Sequence, residues 1–145
     1  MSTSLNIFLV GMKKLPTLDT NLIVRFLTQD SVEQASRVRR LLGDSPKNSL
    51  EISDLVLAEI IYVLLSVYEL SKEDVVEKIS LLIELESIKC NKNLIRKSLD
   101  LFKSNSISFV DAYLGAAVLS GKSDVLFTFD KRLLKVLSAN TVEPK

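Results

Sequence analysis

The sequence predicts a single α/β domain with a central parallel sheet of short strands flanked by helices. Short apolar runs at residues 15–18, 50–53, 88–90 and 125–128 alternate with longer stretches of helical periodicity. Parallel strands need helical crossovers, and this alternation supplies them. A length of 145 residues suits one core, and 47% apolar residues with only 4 Gly and 3 Pro exclude a disordered or linker-rich chain. No internal repeat is present, so a solenoid is excluded as well.

The domain is expected to span residues 12–145. Met12-Lys13-Lys14 reads as a second possible start, which makes residues 1–11 an N-terminal extension or a short added strand. The apolar patch inside that extension follows no basic residue and precedes no convincing cleavage pattern, so a secretory signal is not expected.

The elements follow in order. After the first strand, residues 21–27 begin a helix. A second helix over 31–42 has Ser31 as N-cap, Val32, Ala35, Val38, Leu41 and Leu42 as its apolar positions, and Gly43 just past its end. Its other face carries Arg37, Arg39 and Arg40, read as a solvated surface. Ser53 or Asp54 caps a helix to about residue 68 whose only charge from Leu55 onward is Glu59; such a helix is expected to be buried on nearly all sides, in the core or in a subunit contact. Tyr62 and Tyr68 are read as core or dimer-interface aromatics.

Ser71 opens a helix to about residue 85 with Val75, Ile79, Leu82 and Ile83 inward. Residues 94–102 form another helix, and 108–120 a further one closed by Gly121. Asp130 opens the last, ending near residue 137.

Composition excludes several chemistries. The chain has no histidine and one cysteine, Cys90, which removes His-assisted nucleophiles, His or thiolate zinc sites, and intrachain disulfides. A reducing, cytoplasmic setting fits, with Cys90 as a small buried apolar residue. A net charge of +1 announces no polyanion-binding surface, and no apolar run reaches the ~20 residues of a membrane span.

Four carboxylates stand apart from the charged faces: Asp19 in LPTLDTNLIV, Glu59 in LVLAEIIYVL, Asp111 in SFVDAYLGAAVL and Asp130 in VLFTFD. Each has a structural reading beside a functional one. Asp130 is an ordinary N-cap, Asp111 occupies the capping-box position after Ser108, and Asp19 with Asn21 suits an Asx turn. Glu59, mid-way along an apolar helix, has no such account. Asp19 and Asp130 fall at the carboxyl ends of predicted strands, where open parallel sheets bind ligands, and Asp111 and Glu59 can reach the same crevice. A gathered set of oxygen donors points to Mg²⁺ or Mn²⁺, ions that lower the pKa of an attacking water and stabilise a departing oxygen in phosphodiester hydrolysis.

The segments LDTNLIVRFL (18–27), LAEIIYVL (57–64), FVDA (109–112) and FTFDK (127–131) together resemble the PIN-domain nucleases, and most closely the VapC-like toxins of toxin–antitoxin pairs. The resemblance runs from about residue 15 to 137. It implies ribonuclease activity, Asp19, Glu59, Asp111 and Asp130 as catalytic metal ligands, Asn21 and Thr128 as polar support, a homodimer, and inhibition by a small antitoxin. Pro16 and residues 1–11 depart from the family's usual N-terminus. For RNA contact, Arg25, Lys131 and Arg132 lie near the predicted crevice in sequence. A housekeeping RNA-processing nuclease and a catalytically inactive binding module of the same fold are the alternatives.

Overall fold

A computed structural model describes residues 14–145; the expected extension at residues 1–11 lies outside the described residues. The chain order is α1 (Thr20–Thr28), α2 (Val32–Asp44), β1 (Leu50–Glu51), α3 (Asp54–Ser66), α4 (Lys72–Ile83), β2 (Ile88–Lys89), α5 (Lys92–Ser104), α6 (Phe109–Leu119), β3 (Leu126–Phe127), α7 (Lys131–Val136) and β4 (Thr141–Val142). Helices dominate, and every strand pairing among the described residues is parallel.

The α/β class therefore holds, with strands shorter and more divided than expected. β1 pairs with β2, β3 pairs with β4, and among the described residues the segment before α1 joins β1 only through a Thr17–Glu51 bridge. Pro16 explains that brevity. Glu51 donates its N–H to the Pro16 carbonyl and accepts from the Leu18 N–H, both at 2.9 Å. The next ladder bond would need an N–H on residue 16, and proline has none. β4 answers no expectation from the sequence; its two residues are held by pairing with β3.

Serine caps start most helices. The side chains of Ser31, Ser53, Ser71 and Ser108 each accept a backbone N–H three residues on, satisfying a donor that the first turn leaves free. Thus Ser53, not Asp54, caps α3. Gly121, at φ 78°, ends α6: its N–H bonds the Val118 carbonyl and the Lys122 N–H bonds that of Ala117. Gly43 does not end α2, which runs on through Asp44; there Ser45 bonds the Leu41 carbonyl through both its N–H and its hydroxyl.

One core joins Ile23 and Val24 of α1, Leu57, Ile60, Ile61 and Leu64 of α3, Val75, Ile79, Leu82 and Ile83 of α4, Ile88 of β2 and Ile95 and Leu99 of α5. In α2 only Ala35, Val38 and Leu42 turn inward, while Val32 and Leu41 are exposed, so its apolar stripe is narrower than expected. α5 and α6 form the most extensive helix pair. Gly115 allows α6 its close approach to Leu137 just past α7, since a Cβ there would lie 2.5 Å from the Leu137 Cδ1.

Lys72, in the first turn of α4, ties two helices together. Its ammonium donates to the Phe102 and Asn105 carbonyls, each at 2.9 Å, and lies 4.5 Å from the Phe102 ring centroid. It thereby serves the carbonyl end of α5. Lys72→Met is expected to lower unfolding stability by about 1–3 kcal/mol in urea titrations, because two partly buried carbonyls lose their charged donor.

Candidate active site

The segment carrying Asp19 runs beside β1, and β1 leads through Ile52 and Ser53 into α3, which carries Glu59. α1 then packs on α3. Asp111 sits in the first turn of α6 and Asp130 caps α7; the two helix starts are joined where Arg132 Nη1 donates to the Ser106 carbonyl at 3.0 Å, just before α6. A bond between α3 and α6 links these two halves. The Tyr113 hydroxyl donates to Asp54 Oδ2 at 2.5 Å, and this bond, with burial, pushes the phenol up to about 12. The phenol thus remains a donor throughout the ordinary pH range.

Two of the four acids act as helix caps. Asp19 Oδ1 accepts the Leu22 N–H at 2.9 Å. Asp130 Oδ1 accepts the Arg132 N–H at 2.8 Å and the Leu133 N–H at 3.2 Å. Each therefore keeps one carboxylate oxygen outside its cap. The Thr128 hydroxyl accepts the Asp130 backbone N–H at 2.9 Å.

Glu59 is exposed, which corrects the reading of α3 as buried all round. Leu55, Glu59, Tyr62 and Ser66, spaced at helical intervals, form an outward stripe in which Leu55 is 80% and Tyr62 68% accessible. Tyr62 is thus a surface residue and no part of this core. Tyr68 is half-buried and packs on the core, and its hydroxyl donates to Asp30 at 2.7 Å.

Asn21 lies with Asp19, Arg25, Gln34 and Arg37 in a cleft of about 530 Å³ between α1 and α2. The cations expected near RNA are engaged within the chain. Arg25 Nη1 meets both Asp30 oxygens at 2.6 and 2.7 Å. The Tyr68 hydroxyl and then Arg25 hold the Asp30 carboxyl below the usual carboxylate range. Lys131 pairs with Glu143 at 3.4 Å. Arg37 makes a loose surface pair with Glu33 at 3.6 Å, in keeping with a solvated face. Cys90 is half-buried, and burial pushes its thiol up, consistent with an inert small residue.

The model of the PIN domain family matches residues 17–137. The chain belongs to the PIN domain family. The matched span contains all four acids, and no curated protein matches the sequence significantly. PIN domains are generally nucleases that act on nucleic acid and typically use divalent metals. Among the described residues, no helix is long and apolar enough to cross a membrane.

The donor chemistry of this PIN domain suits such an ion, since all four candidates offer hard oxygen. The arrangement does not complete the fit. Among the described residues, no three acidic or cysteine side chains stand together in a way that could hold a metal ion. The fold brings the four acids onto neighbouring elements and leaves them short of a preformed cage. The Asp54–Tyr113 bond is the feature that sequence reasoning missed; its one local signal is a tyrosine in an apolar helix, whose hydroxyl needs a partner.

Proposed function

We propose that this PIN domain is an endoribonuclease dependent on Mg²⁺ or Mn²⁺ that hydrolyses RNA phosphodiester bonds with Asp19, Glu59, Asp111 and Asp130 as its working acids. The observation that carries the reading is the family match over residues 17–137, which encloses those acids in a chain without histidine. Asn21 and Thr128 support the acids. Arg25, Lys131 and Arg132 meet the substrate; the exposed Lys131–Glu143 pair is worth little and exchanges readily for a phosphate.

Within this reading the protein is the cytoplasmic toxin of a toxin–antitoxin pair, a homodimer restrained by a small antitoxin. The exposed apolar side chains Leu55, Tyr62, Val110, Leu114, Phe127 and Phe129 support protein contacts of that kind. The caps formed by Asp19 and Asp130 favour a second reading, a PIN-like binding module without chemistry.

One assay separates the two. Purified protein incubated with single-stranded RNA and with DNA of the same sequence is expected to cleave RNA in Mn²⁺ and neither polymer in EDTA. Intact RNA at excess protein supports the inactive module. For the toxin role, induced expression arrests growth, whereas harmless expression of an active enzyme points to housekeeping RNA processing.

A further inference from the structure

We propose that the cleft between α1 and α2 is a nucleobase pocket, which takes a purine of the RNA beside the bond to be cut. The proposal rests on the nuclease reading above and deepens it, adding a base-reading site that the four acids do not supply. The cleft has a volume of about 530 Å³, within the range of small-ligand sites. Facing turns of the two helices line it: Asn21 and Leu22 from α1, and Gln34, Arg37, Val38 and Leu41 from α2, the last four recurring at helical spacing.

That lining suits a flat ring with polar edges. Leu22, Val38 and Leu41 give it apolar walls, and Leu41 is 37% accessible, so the wall stands open to a ligand. The amides of Asn21 and Gln34 each carry donors and an acceptor, and neither side chain has a hydrogen-bond partner among the described residues. Arg37 approaches Glu33 only to 3.6 Å, beyond hydrogen-bonding distance, so its guanidinium donors stay available. Single-stranded RNA is read in this manner, by unstacked bases laid against side-chain surfaces and hydrogen-bonded along their edges. Amide and guanidinium groups pair bidentately with adenine N6 and N7 and with guanine O6 and N7, edges that only purines present.

Charge argues against a phosphate in the same place. Arg25 is held by Asp30 at 2.6 Å and Arg37 stands beside Glu33, whereas Asp19 lines the cleft with no cation paired to it among the described residues. The lining is therefore not electropositive, and a neutral ring fits it better than an anion. Because Asp19 is one of the working acids, a base held here belongs to a nucleotide next to the cleavage site.

Nuclear magnetic resonance of the full-length protein in EDTA tests the pocket without any cleavage. AMP, GMP, CMP and UMP are titrated in parallel with ribose 5-phosphate, which has the sugar and the phosphate and lacks the base. The expected result is movement of the Asn21 and Gln34 side-chain amide signals with AMP or GMP and none with ribose 5-phosphate. Gln34→Ala is expected to weaken purine nucleotide binding by ~10-fold or more. The variant keeps the backbone N–H that Ser31 caps, so α2 stays folded. In RNA cleavage it is expected to reduce the wild type's preference for a purine at one position flanking the cut.

Equal shifts with ribose 5-phosphate, equally tight binding of the pyrimidine nucleotides, or no shift with any nucleotide overturn the purine pocket. If RNA is nevertheless cleaved in Mn²⁺, the nuclease reading survives that result. Purine nucleotide binding that Gln34→Ala weakens, with no cleavage of RNA, upholds the pocket and overturns the nuclease reading instead.

Discussion

Asp111→Asn is expected to lower RNA cleavage in Mn²⁺ by about three orders of magnitude, equivalent to ~4 kcal/mol of transition-state stabilisation, while leaving a folded protein. The two parts of the expectation have separate grounds. Asp111 lies within the family match, at the start of a helix tied to the rest of the candidate site through Tyr113 and, via Ser106, through Arg132. Among the described residues its own carboxylate holds no other residue in place: Ser108 caps α6, bonding the Asp111 backbone N–H at 3.1 Å, and asparagine keeps that N–H. What the fold loses is a negative charge at a helix N-terminus, worth about 0.3–1 kcal/mol. Circular dichroism and a melting curve within a few degrees of the wild type accompany the lost cleavage.

The largest effect on stability is expected from Leu57→Ala. Leu57 is fully buried in α3, two residues before Glu59, in the same cluster as Ile23, Ile79 and Ile95. Truncation removes transfer free energy and leaves a cavity, together costing about 3–5 kcal/mol. Against a total stability of ~5–15 kcal/mol this is a large fraction, and Tm falls by roughly 10 °C. Leu55→Ala, on the outward stripe of the same helix, is expected to shift Tm by only a degree or two. Comparable losses for the two variants would contradict the assignment of the α3 faces.

These outcomes also mark which parts of the molecule local sequence encodes. Serine caps at residues 31, 53, 71 and 108, the Asp130 cap and the Gly121 terminus are side-chain-to-backbone events within a few residues, and the sequence pattern reveals them. The inward positions of α4 are equally legible, because Val75, Ile79, Leu82 and Ile83 recur at the helical period among charges. α3 hides its outward stripe for the opposite reason. With leucine and tyrosine among the outward positions, hydrophobicity no longer distinguishes its faces, and Glu59 looks fully enclosed when it is not.

The candidate site is legible as a list of residues and not as an arrangement. Asp19, Glu59, Asp111 and Asp130 can be picked out by their apolar neighbours. Whether their oxygens converge depends on the separations of α1, α3, α6 and α7, which bonds between distant residues set. Tyr113 reaches Asp54 across 59 positions, Tyr68 reaches Asp30 across 38, and Arg132 reaches Ser106 across 26. The same long-range bonding engages Arg132, whereas Asp30, only five residues from Arg25, takes up that guanidinium locally. β4 belongs with the tertiary features, since two residues that pair only in the folded chain leave no pattern to read.

The most direct measurement is single-turnover RNA cleavage in Mn²⁺ by the wild type and by Asp19→Asn, Glu59→Gln, Asp111→Asn and Asp130→Asn, with Asp54→Asn as the comparison. If the four acids form one working site, each of the four variants loses at least ~100-fold while Asp54→Asn, which keeps an acceptor for Tyr113, stays within about tenfold of the wild type. Wild-type cleavage by Glu59→Gln and Asp130→Asn would contradict the account, leaving one an ordinary surface residue and the other a helix cap.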